Sequence, residues 1–485
     1  MAGIGFELKK LFQRKGLMAT LRAYGYAGMI CAGPMLLGML LLLGVVMLAN
    51  RLGMEREEQN ILVCMITYAM LISLTLTSPF SMPVTRFIAD TLYEGREGRV
   101  FPSLIGACVL QLALGDVVML VFLMLCGLPA LDCVLMLLLV GELVVTWNQM
   151  SYLTAVKDYQ GLMLNFAAAV ATALFTAWLL PRAGMPLVEA MLLAVMLGYG
   201  LMLLLNFRIL RLAFPKSEGG MFDFLAWLED YKLLAGVGLF MHLGLFAHIV
   251  LMWFGPVGEQ VRGLFYGAPM YDIPSLAAFI TILVTTVNFV VSVEVNFYPR
   301  YRNYYALYNS DGNVVDIEQT EQEMLGVLWT ELTYTFVKQL IVSMLAIAVE
   351  DIVLDLLPLG FNDLMHGYFR TLCVGYGLYA CGNVCVLILL YFTDYRGACA
   401  VTLAFALSSA GLTLLSMRMK TVFFGIGFLV AAAIFFGLAL LRLRLFVRSL
   451  PYYILSQQDV TMAARYGMLR RLRDRLNRWV EVNEG

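Results

Sequence analysis

The chain has 485 residues, of which 61% are hydrophobic and only 14% are charged. Soluble domains contain about 45–50% apolar and about 25% charged residues, so this composition excludes a soluble globular protein. The formal net charge of -1 also excludes a nucleic-acid binder. The composition therefore predicts an integral membrane protein whose polar residues are gathered into short loops.

Apolar segments long enough to cross a bilayer as helices, about 20 residues each, recur along the whole chain. They are continuous and rich in Leu, Met, Ala and Gly, which favours helices over the short alternating strands of a barrel. The sequence thus predicts an all-α integral membrane protein with about 12 transmembrane helices. The predicted spans are 24–49, 61–82, 103–125, 133–156, 161–180, 187–206, 233–254, 274–295, 333–357, 370–392, 398–417 and 421–441.

The orientation follows from the basic residues. Most of the 33 Lys and Arg residues fall on the side that also carries both termini. Because cytoplasmic loops are enriched in Lys and Arg, we expect both termini to lie in the cytoplasm. The charged N-terminus has no cleavage site after a short apolar core, so the first span is expected to be retained.

A polar stretch at 207–232 divides the chain near its middle, and Pro215 and Gly219 break the helix there. We expect a six-helix lobe on each side, at 24–206 and at 233–441, with 207–232 as a cytoplasmic linker. Two bundles joined in this way are a common transporter plan.

Three segments have one apolar face and are predicted to be surface helices rather than spans. They are 4–16 within the N-terminal segment 1–23, 315–332 within a cytoplasmic insert 296–332, and 459–480 within the basic tail 442–485. In the last, the expected apolar stripe is Leu469, Leu472, Leu476 and Trp479, with Arg470, Arg471, Arg475 and Arg478 opposite. Membrane-anchored collars and docking sites for cytoplasmic partners are both open readings.

The acidic helix 315–332 is the best docking candidate, because acidic side chains gain nothing from an anionic lipid surface. The residues expected to serve docking there are Arg300, Arg302, Glu318 and Glu321.

Polar residues near the middle of predicted spans are candidates for a substrate path, since charge inside the bilayer is costly. Asp116 and Glu142 are the two acids, and they could approach each other because their spans are joined by a short loop. Thr146 and Gln149 extend the face of Glu142 at i+4 and i+7. A pair of structural acids is the equally weighted alternative.

A second polar stripe contains Thr281, Thr285, Asn288 and Ser292, and helix packing is the favoured interpretation for its hydroxyls. Lys338 is expected to extend to the cytoplasmic interface.

Arg86 follows a break predicted by Pro79 and Pro83, which favours either a mobile element or a plain cytoplasmic anchor. Asn288 and Arg86 complete the set of candidate substrate-path residues.

The sequence gives no sign of a cofactor or of catalysis. Glu350, Asp351 and Asp355 are expected to reach water at the outer end of a span. The 3 histidines and 9 cysteines form no metal-ligand pattern, so no metal site is predicted. A nucleotide-binding loop of the form GxxxxGK[ST] is absent from the sequence. These features favour a protein that transports a substrate across the membrane over an enzyme.

The opening MAGIGFELKKLF resembles the start of PelG proteins, and SPFSMPVTRFIADTLYEGR (78–96) and YFTDYRGA (391–398) agree with it. The resemblance implies a fold of the multidrug/oligosaccharidyl-lipid/polysaccharide (MOP) superfamily, with two six-helix lobes around a central cavity. It implies movement of Pel polymer, rich in N-acetylgalactosamine and partly cationic, across the bacterial cytoplasmic membrane. It also implies the cytoplasmic glycosyltransferase PelF and the membrane proteins PelD and PelE as partners.

Three other functions stay open at this stage. A flippase for lipid-linked oligosaccharides is disfavoured because it usually needs cationic groups to meet pyrophosphate, whereas the mid-span ionisable residues here are acidic. A cation-coupled multidrug antiporter suits Asp116 and Glu142 well. A non-conducting scaffold of the polysaccharide synthase is the alternative from a different class.

Overall fold

The computed structural model describes residues 41, 43–156, 158–308, 313–355, 360–456 and 467–484. In this part, 11 helices are long and apolar enough to cross a membrane, and they coincide with the predicted spans from 61–82 onward. The remaining span, 24–49, is helical where it is described, at 43–49. The predicted N-terminal surface helix at 4–16 lies outside the described residues.

The helices follow one another with short connections. In chain order they are α1 (Arg56–Tyr93), α2 (Val100–Cys126), α3 (Ala130–Val156), α4 (Tyr159–Leu179), α5 (Leu187–Ala213), α6 (Phe224–Asp230) and α7 (Lys232–Trp253). After a β-hairpin come α8 (Pro269–Ile280), α9 (Leu283–Val291), a π-helical segment (Ser292–Phe297), α10 (Tyr298–Tyr308), α11 (Val314–Ala348) and α12 (Glu350–Asp355). The last are α13 (Asp363–Tyr391), α14 (Tyr395–Ser416), α15 (Ile426–Arg448), α16 (Leu450–Ser456) and α17 (Met468–Glu484).

The chain divides into two compact units. The first unit contains the described residues of Met35–Ala268, Asp394–Ala410 and Arg444–Gly485. The second unit contains those of Pro269–Thr393 and Gly411–Leu443. In the first unit, α3 packs on α1, α2 and α5, and in the second, α13 packs on α8 and α11.

Helix α1 runs through both prolines without interruption, so the predicted break at 78–83 is wrong. Pro79 has no N–H, which leaves the carbonyl of Thr75 without its usual helical donor. The hydroxyl of Ser78 donates to that carbonyl at 2.8 Å. Close packing supports the same region, because a side chain at Gly238 of α7 would collide with the Ser78 carbonyl.

A two-stranded antiparallel hairpin, β1 (Glu259–Arg262) and β2 (Phe265–Gly267), was not predicted from the sequence. Its turn places Gly263 at a φ of 57°, where a Cβ would lie 1.8 Å from the carbonyl oxygen of Cys126. Glycine is therefore required here on two grounds, backbone conformation and space. Tyr68 fixes the hairpin to α1, since its hydroxyl donates to the Tyr266 carbonyl and accepts from the Tyr266 N–H, both at 3.1 Å.

Helix α11 corrects the prediction of a separate surface helix at 315–332. The acidic segment and the following span form one helix of 35 residues, about 50 Å long. No proline lies within it, and its Gly326 has open space around the Cα, so nothing in the sequence ends the helix between the two parts.

Helix α17 packs on the short linker helix α6, and this contact corrects the predicted apolar stripe in part. Leu469, Leu476 and Val480 pack against a hydrophobic core formed by the ends of α1, α2, α3 and α5 together with α6. Leu472 and Trp479, predicted to share that stripe, are instead 36% and 68% exposed.

The exposed face of α17 also carries Arg471, Arg475 and Arg478. This helix is therefore attached to the protein on one side and presents a mixed basic and apolar face on the other.

Candidate functional site

The predicted polar stripe of α3 lies against α5 in the first unit. Thr146 and Gln149 are 1% and 0% exposed, and Glu142 is partly buried next to Gly200 of α5. The Gln149 side chain donates to the backbone carbonyl of Leu203 at 3.0 Å. The helical spacing i, i+4, i+7 thus brings these three side chains to one helix interface, as the sequence predicts.

Each member of this stripe has a buried polar atom without a hydrogen-bond partner among the described residues. These atoms are Glu142 Oε2, Thr146 Oγ1 and Gln149 Oε1, and Gln111 Oε1 and Asn206 Nδ2 nearby in the same unit share the property. A buried polar atom left unpaired costs about 1–3 kcal/mol, so such a row is expected to find partners in water or in a polar ligand.

Two amide bridges that the sequence analysis did not single out hold the surrounding helices. Gln111 of α2 donates to Asn148 of α3 at 2.8 Å, and Asn165 of α4 donates to Asn206 of α5 at 2.9 Å. All four residues are buried. Their signal in the sequence is weak, because the two amides of each bridge lie on different helices and the sequence does not connect them.

Asp116 is on the edge of this arrangement rather than within it. The bridge from Gln111 to Asn148 shows that α2 and α3 are neighbours, as predicted, and sets Asp116 near the level of Glu142. Asp116 is partly exposed, between residues 113–114 and 117–118 that are exposed, whereas Glu142 is turned toward α5. An interaction between the two acids stays a prediction.

Arg86 lies near the end of α1 and is held by its neighbours in the first unit. Its guanidinium is 3.0 Å from a carboxylate oxygen of Asp90 and 5.7 Å from the centre of the Tyr231 ring. Trp227 of α6 donates to the same Asp90 carboxylate at 2.9 Å. This geometry ties the linker helix to α1, and the role of Arg86 as a cytoplasmic anchor stays a prediction.

In the second unit, Asn288 joins α9 to the middle of α11. It donates to the hydroxyl of Thr335 at 2.8 Å, and its oxygen accepts from Lys338 at 2.5 Å. Lys338 lies ten residues, about 15 Å, before the end of α11. Its ammonium therefore contacts a buried amide within the span instead of extending only to an interface.

Thr285 and Thr281 of this stripe also make interhelical contacts. Thr285 donates to Gln339 of α11, which in turn donates to Ser343 at 3.0 Å. Thr281 lies 3.8 Å from the sulfur of Cys373 on α13. The predicted packing role of these hydroxyls agrees with the contacts, and Thr335 and Gln339 are the partners that the sequence analysis missed.

The residues expected to dock a partner lie on a helical hairpin, defined here as α10 and the first half of α11. Arg300, Arg302 and Glu318 are exposed on it, while Glu321 is partly buried beside Tyr304. The hairpin is fixed by aromatic contacts, and Tyr301 donates to the carbonyl of Tyr391 on α13 at 3.1 Å. Both signs of charge are thus displayed on an ordered surface.

Solved structures with the same fold are transporters of the MATE type. A MATE structure in the bent conformation matches with a TM-score of 0.57 and 13% identity, covering 88% of this chain and 96% of its own. A eukaryotic MATE transporter, AtDTX14, matches with a TM-score of 0.58 and 11% identity, covering 95% and 99%. A MOP superfamily transporter from Pyrococcus furiosus matches with a TM-score of 0.57 and 14% identity, covering 88% and 96%.

These likenesses establish the fold: an all-α integral membrane protein of the MATE type, with about 12 helices. No curated protein sequence matches the chain. A family model described as "PelG: Putative exopolysaccharide Exporter (EPS-E)" matches residues 1–455. Family and fold point to a membrane transporter rather than an enzyme, and the chain belongs to the PelG family.

Proposed function

We propose that this membrane transporter moves a Pel-type exopolysaccharide, rich in N-acetylgalactosamine and partly cationic, across the bacterial cytoplasmic membrane. In this proposal both termini lie in the cytoplasm and the chain works within a synthase and export complex. The observation that carries the proposal is the row of unpaired buried polar atoms on Glu142, Thr146 and Gln149.

The chemistry of that row suits a sugar polymer. Carboxylate and amide oxygens accept hydrogen bonds from sugar hydroxyls and acetamido N–H groups, and the Thr146 hydroxyl can both donate and accept. Glu142 would also tolerate an amine wherever the polymer is deacetylated. A path for a chain that must move needs several weak contacts rather than one strong site, because tight binding at one point would stop passage.

Transport in this proposal is driven by polymer growth at the cytoplasmic mouth. PelF would deliver polymer while docked on the helical hairpin, with Arg300, Arg302 and Glu318 as exposed contacts and Glu321 as a support. PelD and PelE would complete the complex in the membrane. The two charge signs on the hairpin favour a protein partner with a mixed surface, since complementary charges fix register and orientation.

The test of the path uses a host in which the gene is deleted and variants are returned at matched protein level. Gln149→Leu and the pair Asp116→Asn with Glu142→Gln should each lower polymer outside the cells at least several-fold. Thr154→Val is the matched control, because Thr154 is on the same helix α3 but is exposed. N-acetylgalactosamine-rich polymer is quantified both outside and inside the cells.

The distribution of polymer separates the alternatives. Loss outside with sugar retained inside supports transport, whereas loss on both sides with an intact complex supports a scaffold. Normal export by Gln149→Leu and by the double variant would refute this path. If deletion leaves external polymer unchanged, the Pel substrate is wrong, and cation-dependent dye efflux then tests the antiporter.

Docking is tested separately by copurification of PelF with the full-length chain. Reversing Arg300 and Arg302 to Glu should reduce PelF recovery, and so should Glu318→Lys, because all three side chains are exposed on the helical hairpin. Arg418→Glu is the charge-reversal control at an exposed site elsewhere. Unchanged recovery in every hairpin variant would exclude this surface as the docking site.

A further inference from the structure

A buried carboxylate and a buried imidazole meet where α11 gives way to α12 and α13 begins. Glu350 is 1% exposed and His366 is 8% exposed. Nδ1 of His366 lies 3.7 Å from Glu350 Oε1 and 3.5 Å from a carboxylate oxygen of Asp351. One ligand atom from each of these residues lies within 4.8 Å of the other two.

The hydrogen bonding of His366 leaves a ring nitrogen directed at these acids. Its Nε2 lies 3.2 Å from a carboxylate oxygen of Asp355, to which an Nε2 proton would donate. Nδ1 of His366 and Oε2 of Glu350 have no hydrogen-bond partner among the described residues. A lone pair on Nδ1 facing two carboxylates is repulsive unless a cation lies between them.

The distances fit a metal ion as that cation. Ligands about 2.1 Å from a tetrahedral metal are about 3.4 Å from one another, close to the two separations above. The contact from Asp355 to Nε2 has the form of the carboxylate–histidine–metal arrangement that orients metal-binding imidazoles.

The charges fit as well. The cluster contains three carboxylates, on Glu350, Asp351 and Asp355, and one guanidinium, that of Arg370, which is hydrogen-bonded to Glu350 and lies 3.5 Å from Asp351. With a neutral imidazole, the cluster has an excess of two negative charges, which one divalent cation neutralises.

We propose that Glu350, Asp351 and His366 bind a divalent transition-metal ion, with Asp355 orienting the imidazole. Mixed nitrogen and carboxylate donors suit Mn²⁺ and Zn²⁺, whereas Ca²⁺ prefers six to eight oxygen ligands. The ion would connect the start of α12 to the first turn of α13. In the predicted orientation, this connection lies on the outer side of the membrane.

The test measures Mn²⁺ binding to the purified, tag-free chain in detergent. Binding is detected as a decrease of the electron paramagnetic resonance signal of free Mn²⁺. Mn²⁺ is chosen because thiolate ligands select other metals, so the cysteines contribute little. Wild type should bind one equivalent, displaced by Zn²⁺ but not by equimolar Ca²⁺. Asp351→Asn and His366→Gln should weaken binding at least about 10-fold.

Asp363→Asn is the matched control, since this nearby carboxylate is exposed and outside the cluster, and it should bind like wild type. Asp351 is 75% exposed at its side chain, so its variant is expected to fold even if His366→Gln does not. Absence of a saturable Mn²⁺ site in wild type would overturn the proposal. Unchanged affinity in Asp351→Asn would also overturn it. Neither result bears on polymer export.

Discussion

Attachment of the C-terminal helix depends on one carboxylate, and its removal can be predicted in some detail. Glu229 of α6 accepts from the backbone N–H groups of Leu469 and Arg470, at 2.8 and 3.0 Å. These are N–H groups of the first turn of α17, which have no acceptor within their own helix. We expect Glu229→Ala to loosen α17 while leaving the membrane-spanning helices in place.

The magnitude follows from two contributions. A hydrogen bond to a charged group contributes about 1.5–3 kcal/mol, and a negative charge at a helix N-terminus adds about 0.3–1 kcal/mol. Because Glu229 is only partly buried, water screens and partly replaces these interactions, and we take a total somewhat below the sum for two such bonds, about 2–3 kcal/mol. Opening of α17 should then become about 30–150 times more frequent.

The assay is hydrogen exchange of the backbone amides of 468–484 in the full-length protein. Asp230→Asn is the control, since it removes the ion pair between Arg470 and Asp230, 2.6 Å apart, in which Asp230 is 48% exposed. An exposed pair contributes about 0–1 kcal/mol, so exchange should rise at most about 5-fold. Equal effects of the two variants, or no effect of Glu229→Ala, would refute the reasoning.

Three further outcomes are expected from other parts of the fold. Gly263→Ala should lower the Tm by about 2–3 °C because the left-handed turn and the Cys126 carbonyl both reject a side chain; an unchanged Tm would contradict this. Gly326→Ala, in open space on α11, should raise the Tm slightly, since alanine favours helix by about 1 kcal/mol, and a decrease would show an unseen contact. Asn288→Leu and Lys338→Met should be coupled by about 0.6–1.7 kcal/mol in a double-mutant unfolding cycle, and additivity would mean that their 2.5 Å contact contributes nothing.

The spans were predictable because each is a continuous apolar run, and hydropathy records its length directly. The sequence analysis did not predict that α1 and α11 are each one unbroken helix. Proline at 79 predicts a break from local chemistry, but the Ser78 hydroxyl and the packing of Gly238 compensate at positions that a sequence does not connect. The strands of the hairpin at 259–267 are too short for an alternating pattern of polar and apolar residues to be recognised in the sequence.

Burial on amphipathic helices was harder to predict than their existence. The pattern of α17 allows more than one face to be apolar, and only its contact with α6 decides that Leu469 and Leu476 are inside and Trp479 outside. For the candidate path, the stripe at Glu142 was readable from one helix alone. The amide bridges and the meeting of His366 with Glu350 depend on contacts between helices, which spacing along one segment does not encode.

The length of α11 has a mechanical consequence. An unbroken helix of about 50 Å exceeds the hydrocarbon thickness of about 30 Å, so about 20 Å of it projects beyond the lipid as a rigid lever. Rotating that lever by about 10° would displace its free end, which bears Glu318, by about 3–4 Å relative to the membrane surface. The same rotation would also move Lys338 within the bilayer, because α11 contains no proline to act as a hinge. A protein that binds the projecting end and rotates it would therefore also displace residues in the interior of the second unit.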